Sequence, residues 1–176
     1  ERVRIEAAKL LRERLDEIFA VNPHADIIIG GDLNCFYDQK VRYRWQRTAI
    51  NDVLRAQPNE WALRGPTADL YNLWYEIPQG RRGTRVIDGR WVPFMHMILS
   101  RGLYDYAGIQ YVDNSFAIGA YPGLNVRPDG RPYRWSFEGA GRGFSANYPV
   151  YARFRKLNSN RTEQYIELKR RESPAR

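Results

Sequence analysis

The order of the predicted elements indicates an α+β fold or a layered α/β fold. A helical pattern is followed by an apolar strand and a second helical segment, and short strand patterns dominate the second half of the chain. Elements in this order pack as layers of helices and sheet around a shared core. With 176 residues, 43% of them hydrophobic, the chain is long enough to form one domain with a core of its own.

Hydrophobic spacing predicts the elements of the first half. Apolar residues recur every three or four positions over residues 2–20, which predicts an amphipathic helix. The apolar run over 26–30 predicts a buried strand. A coarser apolar face predicts a second helix over 44–56, which Pro58 ends. Residues 68–77 are predicted to form a short helix or an irregular segment.

Strand patterns define the second half. Asp88-Gly89 between the runs 84–87 and 90–92 is typical of a two-residue β-hairpin turn. Residues 95–99 form a predicted buried strand, and shorter strands are expected over 109–112, 116–118 and 150–154. The chain is therefore divided into a domain over 1–155 and a basic tail over 156–176, which is expected to become ordered on a partner.

Composition limits the partners and the environment of the protein. The formal net charge of +8 is typical of proteins that bind nucleic acid, acidic lipid or an RNA-rich assembly, although scattered arginines are also common on a solvated surface. A lone cysteine, Cys35, excludes an internal disulfide and favours a reducing compartment, either cytoplasmic or organellar. The apolar runs are too short for a transmembrane segment.

The end of the first strand is the strongest candidate for a functional site. Gly30 and Gly31 lead directly to Asp32, Leu33 and Asn34. A period of two predicts that Asp32 and Asn34 project to the same side. There the carboxylate could accept a proton from water, and the amide could donate to a phosphoryl oxygen. In the alternative interpretation, both side chains bond to backbone donors in the turn that ends the strand.

Residues 31–34 are one of three ordered blocks that share a resemblance. The sequence GDLN is similar to a Gly-Asp-Phe/Leu-Asn signature, and FMHMILS (94–100) is similar to Leu-Asp-His/Tyr-Ile-Leu-Leu-Ser. GFSANYPVYARF (143–154) is similar to Gly-Tyr-Ser-Asp-His-Leu-Pro-Val-x-Ala-x-Phe, and the hairpin over 84–92 precedes the second block as expected. Over residues 2–154 the chain resembles the C-terminal half of the endonuclease/exonuclease/phosphatase superfamily, which includes DNase I-like nucleases. The resemblance implies part of a four-layer αββα sandwich with mixed, mostly antiparallel sheets.

The resemblance also implies roles for individual positions, several of which have changed here. In active members the residue matching Asp32 positions or deprotonates the attacking water, and the one matching Asn34 contacts the scissile phosphate. Met95 stands where the family has the Asp that orients a catalytic His. Ala146 replaces the Asp that helps to hold a divalent metal, and Asn147 replaces the His itself. The sequence therefore predicts a degenerate active site in which only Asp32 and Asn34 remain.

The family resemblance implies a further half of the sandwich, which would precede this sequence and supply a metal-binding Glu. Residues 1–176 do not contain that half, and without it one apolar sheet face would be uncovered. Either the half lies on a further stretch of chain, or another subunit covers the face. Soluble monomers rarely expose such a face. The predicted partners are therefore protein subunits that cover it, with nucleic acid as a further partner through the basic clusters.

Three functions follow from these observations. The first is a catalytically degenerate protein that serves as a structural or interaction subunit and needs no cofactor. The second is an active phosphodiesterase, dependent on Mg²⁺ or Mn²⁺, in which carboxylates such as Asp38, Asp69 or Glu76 replace the lost groups. The third is a non-catalytic nucleic-acid-binding module.

The remaining reactive side chains are assigned to packing. His96 follows Met95 in the predicted strand, so it should face the opposite side and act as a packed or surface residue. Cys35 adjoins the first block without a partner that would activate it, and it is interpreted as a core residue. No role is assigned to His24.

Overall fold

The computed structural model describes residues 1–135 and 143–157. The strands, in chain order, are β1 (Ile28–Asp32), β2 (Ala56–Gln57), β3 (Leu70–Asn72), β4 (Arg85–Ile87), β5 (Arg90–Val92), β6 (Met95–Leu99), β7 (Ile109–Tyr111), β8 (Ala117–Ile118), β9 (Val150–Tyr151) and β10 (Phe154–Lys156). Lys156, the first residue of the predicted tail, is the last residue of β10. Residues 158–176 of that tail lie outside the described part of the chain.

The first helix, α1, spans Arg2–Val21 and confirms the prediction over 2–20. Leu15 and Phe19 are among the residues that it buries against the sheet. Arg12 is also buried, and its guanidinium donates to the carbonyl oxygens of Leu54 and Ala68. Because these carbonyls lie in two separate loops, the arginine connects α1 to the segment before β2 and to the segment before β3.

The main sheet is mixed, with the strand order β1-β6-β3-β2. β1 pairs with β6 and β6 pairs with β3 in antiparallel orientation, whereas β2 and β3 are parallel. Ile29 is opposite Ile98, and both pack in the hydrophobic core between α1 and this sheet. Side chains alternate along a strand, so Asp32 and its register partner Met95 lie on the other face.

The predicted helix over 44–56 is wrong in its position. A short helix, α2 (Gln39–Tyr43), comes earlier, and a single π-helical turn occupies Ala49–Val53. Arg44 has φ of 54°, a left-handed conformation that ends α2. Local polar bonds compete with a regular helix in this region, because Asp52 accepts from both the backbone and the hydroxyl of Thr48.

The strand predictions are closer to the structure, except that the strand predicted as buried over 26–30 is the edge strand β1 at Ile28–Asp32, whose residues alternate between exposed and half-buried. β4 and β5 form the expected hairpin, with Asp88 and Gly89 both at positive φ. The strand predicted over 150–154 divides into β9 and β10, because β9 pairs with β8 whereas β10 pairs with β7. Residues 68–77, for which a short helix or an irregular segment was expected, contain β3 followed by a 3-10 turn at Leu73–Glu76.

These elements form an α+β fold of helices and mixed sheets, as predicted. The finer prediction of a four-layer sandwich stays a prediction. Within residues 1–135 and 143–157, no helix combines the length and the apolar character needed to cross a membrane.

Candidate functional site

Asp32 ends β1 and also organises the turn that follows. Its Oδ1 accepts a hydrogen bond of 3.0 Å from the backbone N–H of Asn34, whose φ is 50°. The backbone N–H of Leu33 donates to the carbonyl oxygen of Phe94 over 2.9 Å, which fixes the turn against the entry to β6. Because the strand stops at Asp32, the alternation argument does not extend to Asn34. The bond from the Asn34 N–H to Asp32 is of the kind that the turn-forming interpretation expects.

The other oxygen of Asp32 faces a residue 115 positions away in the sequence. The side-chain amide of Asn147 donates to Oδ2 of Asp32 over 3.2 Å, and the hydroxyl of Thr84 donates to Oδ1 of Asn147 over 3.2 Å. An ionised carboxylate only accepts hydrogen bonds, so the NH₂ group of Asn147 must face Asp32. Its carbonyl oxygen is then free to accept from Thr84. These bonds form a chain of Thr84, Asn147, Asp32 and the Asn34 backbone.

The fold brings together residues from all three sequence blocks. Met95 lies directly opposite Asp32 in the register of β1 and β6, and Asn147 contacts Asp32 from the third block. Ala146 precedes Asn147 and contributes only a methyl group. Asn34 joins the group through its backbone. Thus Asp32, Met95 and Asn147 converge at one end of the sheet, where their positions in the sequence blocks predicted a site.

Thr84 was not singled out as a site residue by the sequence. It is fully buried, its backbone N–H donates to the Val92 carbonyl, and its own carbonyl accepts from the N–H of Tyr148. The hairpin and the third block are therefore joined through Thr84. The local pattern shows only a threonine before a strand, which gives no indication of a partner 63 residues further along the chain.

The chemistry available to this group is limited. The Asp32 side chain is exposed and is held by neutral N–H donors. The Asn147 amide has no titration near neutral pH, so it can orient the carboxylate but cannot relay a proton. Met95 presents a thioether, which cannot form an ion pair with an imidazole. The arrangement is suited to holding Asp32 in place.

Carboxylates elsewhere in the fold are engaged with other partners. Asp38 pairs with Arg42 at 3.0 Å, and Asp69 lies 3.4 Å from Arg55. Glu76 accepts a hydrogen bond of 2.5 Å from the hydroxyl of Tyr111, and burial raises its pKa to about 7. Within residues 1–135 and 143–157, no three His, Cys, Asp or Glu side chains are grouped so that they could hold a metal ion.

His96 points away from this group, as the alternation of the strand predicted. It is completely buried, with Nε2 at 2.9 Å from the Cys35 carbonyl and Nδ1 at 3.1 Å from the Asn72 side-chain nitrogen. The oxygen of that amide accepts from the Trp74 N–H, so its NH₂ donates to Nδ1, and Nε2–H donates to Cys35. Burial lowers the pKa of His96 to about 4, and it raises that of the Cys35 thiol to about 12. Both are packing residues, as predicted.

His24 lies apart from this group. Its Nδ1 is 2.9 Å from a carboxylate oxygen of Asp105. This contact connects the loop before β1 to the turn after β6. His24 is therefore not one of the site residues.

Comparison with known proteins agrees with the convergence of the three blocks. A family model described as the endonuclease/exonuclease/phosphatase family matches residues 1–156, a range that contains all three blocks. No curated protein and no solved structure matches the chain. Since the family match covers most of the sequence, the chain belongs to the endonuclease/exonuclease/phosphatase family.

Proposed function

We propose that this chain is a catalytically degenerate member of its family and acts as a structural or interaction subunit of a larger assembly. The observation that carries the proposal is the position of Asn147, whose amide hydrogen-bonds to the Asp32 carboxylate. In active members, as the sequence resemblance implies, a histidine stands at this position. Phosphodiester hydrolysis needs a group that can exchange a proton with water or with the leaving group, and an amide cannot do so.

The neighbouring substitutions support the same conclusion. Removal of one acid–base group typically lowers a rate by about 10²- to 10⁴-fold. When residues that act as a unit are lost together, what remains is catalysis by binding and electrostatics alone. Met95 lies opposite Asp32 in the sheet, and Ala146 precedes Asn147 in the sequence. Neither side chain can form an ion pair with an imidazole or bind Mg²⁺ or Mn²⁺.

An interaction role is supported by the surface of the main sheet. Among the described strands, β1 pairs with β6 alone and lies at the edge of the sheet. Its first residue, Ile28, is 47% exposed on the face away from α1. The outer edge of such a strand presents backbone N–H and C=O groups to which another polypeptide can add a strand. We therefore propose a protein partner on this edge.

The proposal is tested by measuring hydrolysis of a chromogenic phosphodiester by the full-length protein in Mg²⁺ and in Mn²⁺. We expect the rates of the wild type and of Asp32→Ala to be equal, and neither to exceed the buffer blank. Asp129→Ala, which removes a carboxylate from an exposed loop, is the matched control. A metal-dependent rate that Asp32→Ala abolishes and Asp129→Ala preserves would overturn the proposal.

A further inference from the structure

A cavity of about 280 Å³ lies at the end of the main sheet opposite to Asp32. On its wall, His24 precedes the start of β1 and Tyr104 follows the end of β6. Most of the remaining wall comes from the 3-10 turn at Glu60–Arg64 and from residues 105–113 around β7. No lining residue belongs to the candidate site, so the cavity is a separate feature of the fold.

Two carboxylates of this wall, those of Glu60 and Asp113, are not paired with a cation. Neither side chain has a hydrogen bond or an ion pair within residues 1–135 and 143–157. The two charges lie close enough to repel each other, because burial and the charge of Asp113 raise the pKa of the Glu60 carboxyl above its ordinary value. A cation bound beside both carboxylates would remove this repulsion.

The two arginines of the wall have other partners. Arg101 donates hydrogen bonds to two backbone carbonyls. The guanidinium of Arg64 lies over the Trp61 ring, 4.2 Å from its centroid. Its charge lowers the pKa of Glu60, but the two side chains form no ion pair in the described part of the chain. The carboxylates of the wall are therefore still open to an external cation.

A buried amide on the same wall lacks an acceptor. Gln110 is only 7% exposed, and its Oε1 accepts a hydrogen bond of 2.9 Å from the backbone N–H of Tyr106. This bond leaves the NH₂ group as the donor on the cavity side, and no atom of the described residues accepts from it. Buried donors are rarely left without an acceptor, so a ligand oxygen in the cavity would complete the bonding of this amide.

An exposed aromatic ring lies at the rim of the cavity. Tyr106 is 76% exposed, and among the described residues no other ring contacts it. Its bond to Gln110 holds its backbone against β7. A free ring face of this kind favours a guanidinium, which stacks on it as a plane, over a compact ammonium.

We propose that this cavity binds an arginine side chain presented by a partner protein. The guanidinium lies beside Glu60 and Asp113 and stacks on Tyr106, because it can bond to carboxylates and cover a ring at the same time. A peptide carbonyl of the partner accepts from the Gln110 amide. The volume suits one side chain rather than a drug-sized molecule. This inference rests on the proposed function, since it names the chemistry by which an interaction subunit holds its partner.

The experiment measures binding of a labelled pentapeptide, with arginine between glycines, to the full-length protein by fluorescence anisotropy. Peptides with citrulline or lysine in place of arginine test the charge and the planar shape of the group. We expect Glu60→Gln and Asp113→Asn each to weaken binding of the arginine peptide by about tenfold. Glu6→Gln and Asp129→Asn, which make the same changes outside the cavity, should leave the Kd unchanged. The formal net charge of +8 disfavours unspecific attraction of a cationic peptide.

Each outcome supports or overturns the proposal. A preference for the arginine peptide that is lost in both cavity variants and kept in both controls supports it. An absence of binding, equal binding of the citrulline or lysine peptide, or cavity variants that bind as the wild type does overturn it. Free arginine bound as tightly as the peptide would overturn the assignment to a partner protein and identify the amino acid as the ligand.

Two further controls keep the result unambiguous. Circular dichroism establishes that each variant is folded, and should Glu60→Gln fail to fold, the exposed Asp113→Asn answers the same question. The hydrolysis assay does not depend on this cavity. A failure of the arginine site is therefore distinguishable from a failure of the proposed function.

Discussion

The two faces of β6 differ although their residues alternate along one strand. On the face toward α1, His96 is completely buried and both of its ring nitrogens have partners. On the other face Met95 lies opposite Asp32, whose carboxylate is exposed to solvent and held by Asn147. Burial makes the hydrogen bonds of the first face obligatory, whereas water can replace those of the second. At the Asp32 end of β6, the first face therefore contributes more to stability than the second. Further along the strand the second face is buried as well, where Leu99 packs in a separate hydrophobic core.

The largest expected difference between the faces concerns stability. His96→Ala removes a buried ring and leaves the Asn72 amide and the Cys35 carbonyl without partners, so we expect it to lower the free energy of unfolding by about 3 kcal/mol. Asn147→Ala removes an exposed bond to Asp32 that water can replace, and the buried Thr84 hydroxyl retains the Val92 carbonyl as an acceptor at 3.5 Å. We therefore expect a loss of about 1 kcal/mol. Urea unfolding measures both. Equal losses in the two variants would contradict the comparison.

The burial of His96 also predicts that the free energy of unfolding depends on pH. The folded state holds the pKa of His96 near 4, whereas the unfolded chain titrates near the ordinary value of about 6.5. Between these values the unfolded state binds the additional proton, so the contribution of His96 to stability is present above pH 6.5 and is lost as the pH falls toward 4.

This pH dependence must be isolated from that of Glu76, whose raised pKa of about 7 acts in the opposite direction. Its contribution is largest below the unfolded pKa, and it declines as the pH rises toward 7. The appropriate measurement is therefore the difference in unfolding free energy between wild type and His96→Gln from pH 4 to pH 8. We expect the advantage of the wild type to shrink on the acid side. A constant difference would show that His96 has the same pKa in the folded and the unfolded state, which would contradict the prediction.

Sequence patterns predicted one part of this contrast and not the other. The alternation along β6 was sufficient to place Met95 and His96 on opposite faces, and the Asp88-Gly89 turn was sufficient to place the hairpin, because both rules act between neighbours. The hydrogen bonds of Asn147 depend on the packing of the third block against the hairpin and β1. No local signal specifies them. The resemblance to the family indicated the position of Asn147, but nothing in the sequence indicated its hydrogen bond with Thr84.

The predicted helix over 44–56 failed for a related reason. Its spacing of apolar residues was compatible with a helix, but Arg44 adopts a left-handed conformation and Asp52 bonds to Thr48. Side chains that bond to nearby backbone compete with regular helix formation, and hydrophobic periodicity does not register them. A local bond also explains the failure of the strand alternation at Asn34. The period of two predicted that Asn34 projects to the same side as Asp32, but the bond from the Asn34 N–H to the Asp32 carboxylate forms a turn there.

The smallest expected effect on stability comes from Asn147→His, which places an imidazole on the open face next to Asp32. We expect a change in unfolding free energy below about 1 kcal/mol, because the ring can retain a bond to the carboxylate and the Thr84 hydroxyl can donate to the Val92 carbonyl, 3.5 Å away. The carboxylate favours the imidazolium, so the pKa of the introduced ring should lie above the ordinary value of about 6.5. An NMR titration of the ring protons measures this pKa, with the Asp32→Asn/Asn147→His double variant as the control.

The outcome of the titration tests the contact with Asp32. A pKa that is equal in the single and double variants would contradict the proposed contact. A raised pKa without phosphodiester hydrolysis would show that the contact between Asp32 and an imidazole is not sufficient for activity. The groups replaced by Met95 and Ala146 would then also be required.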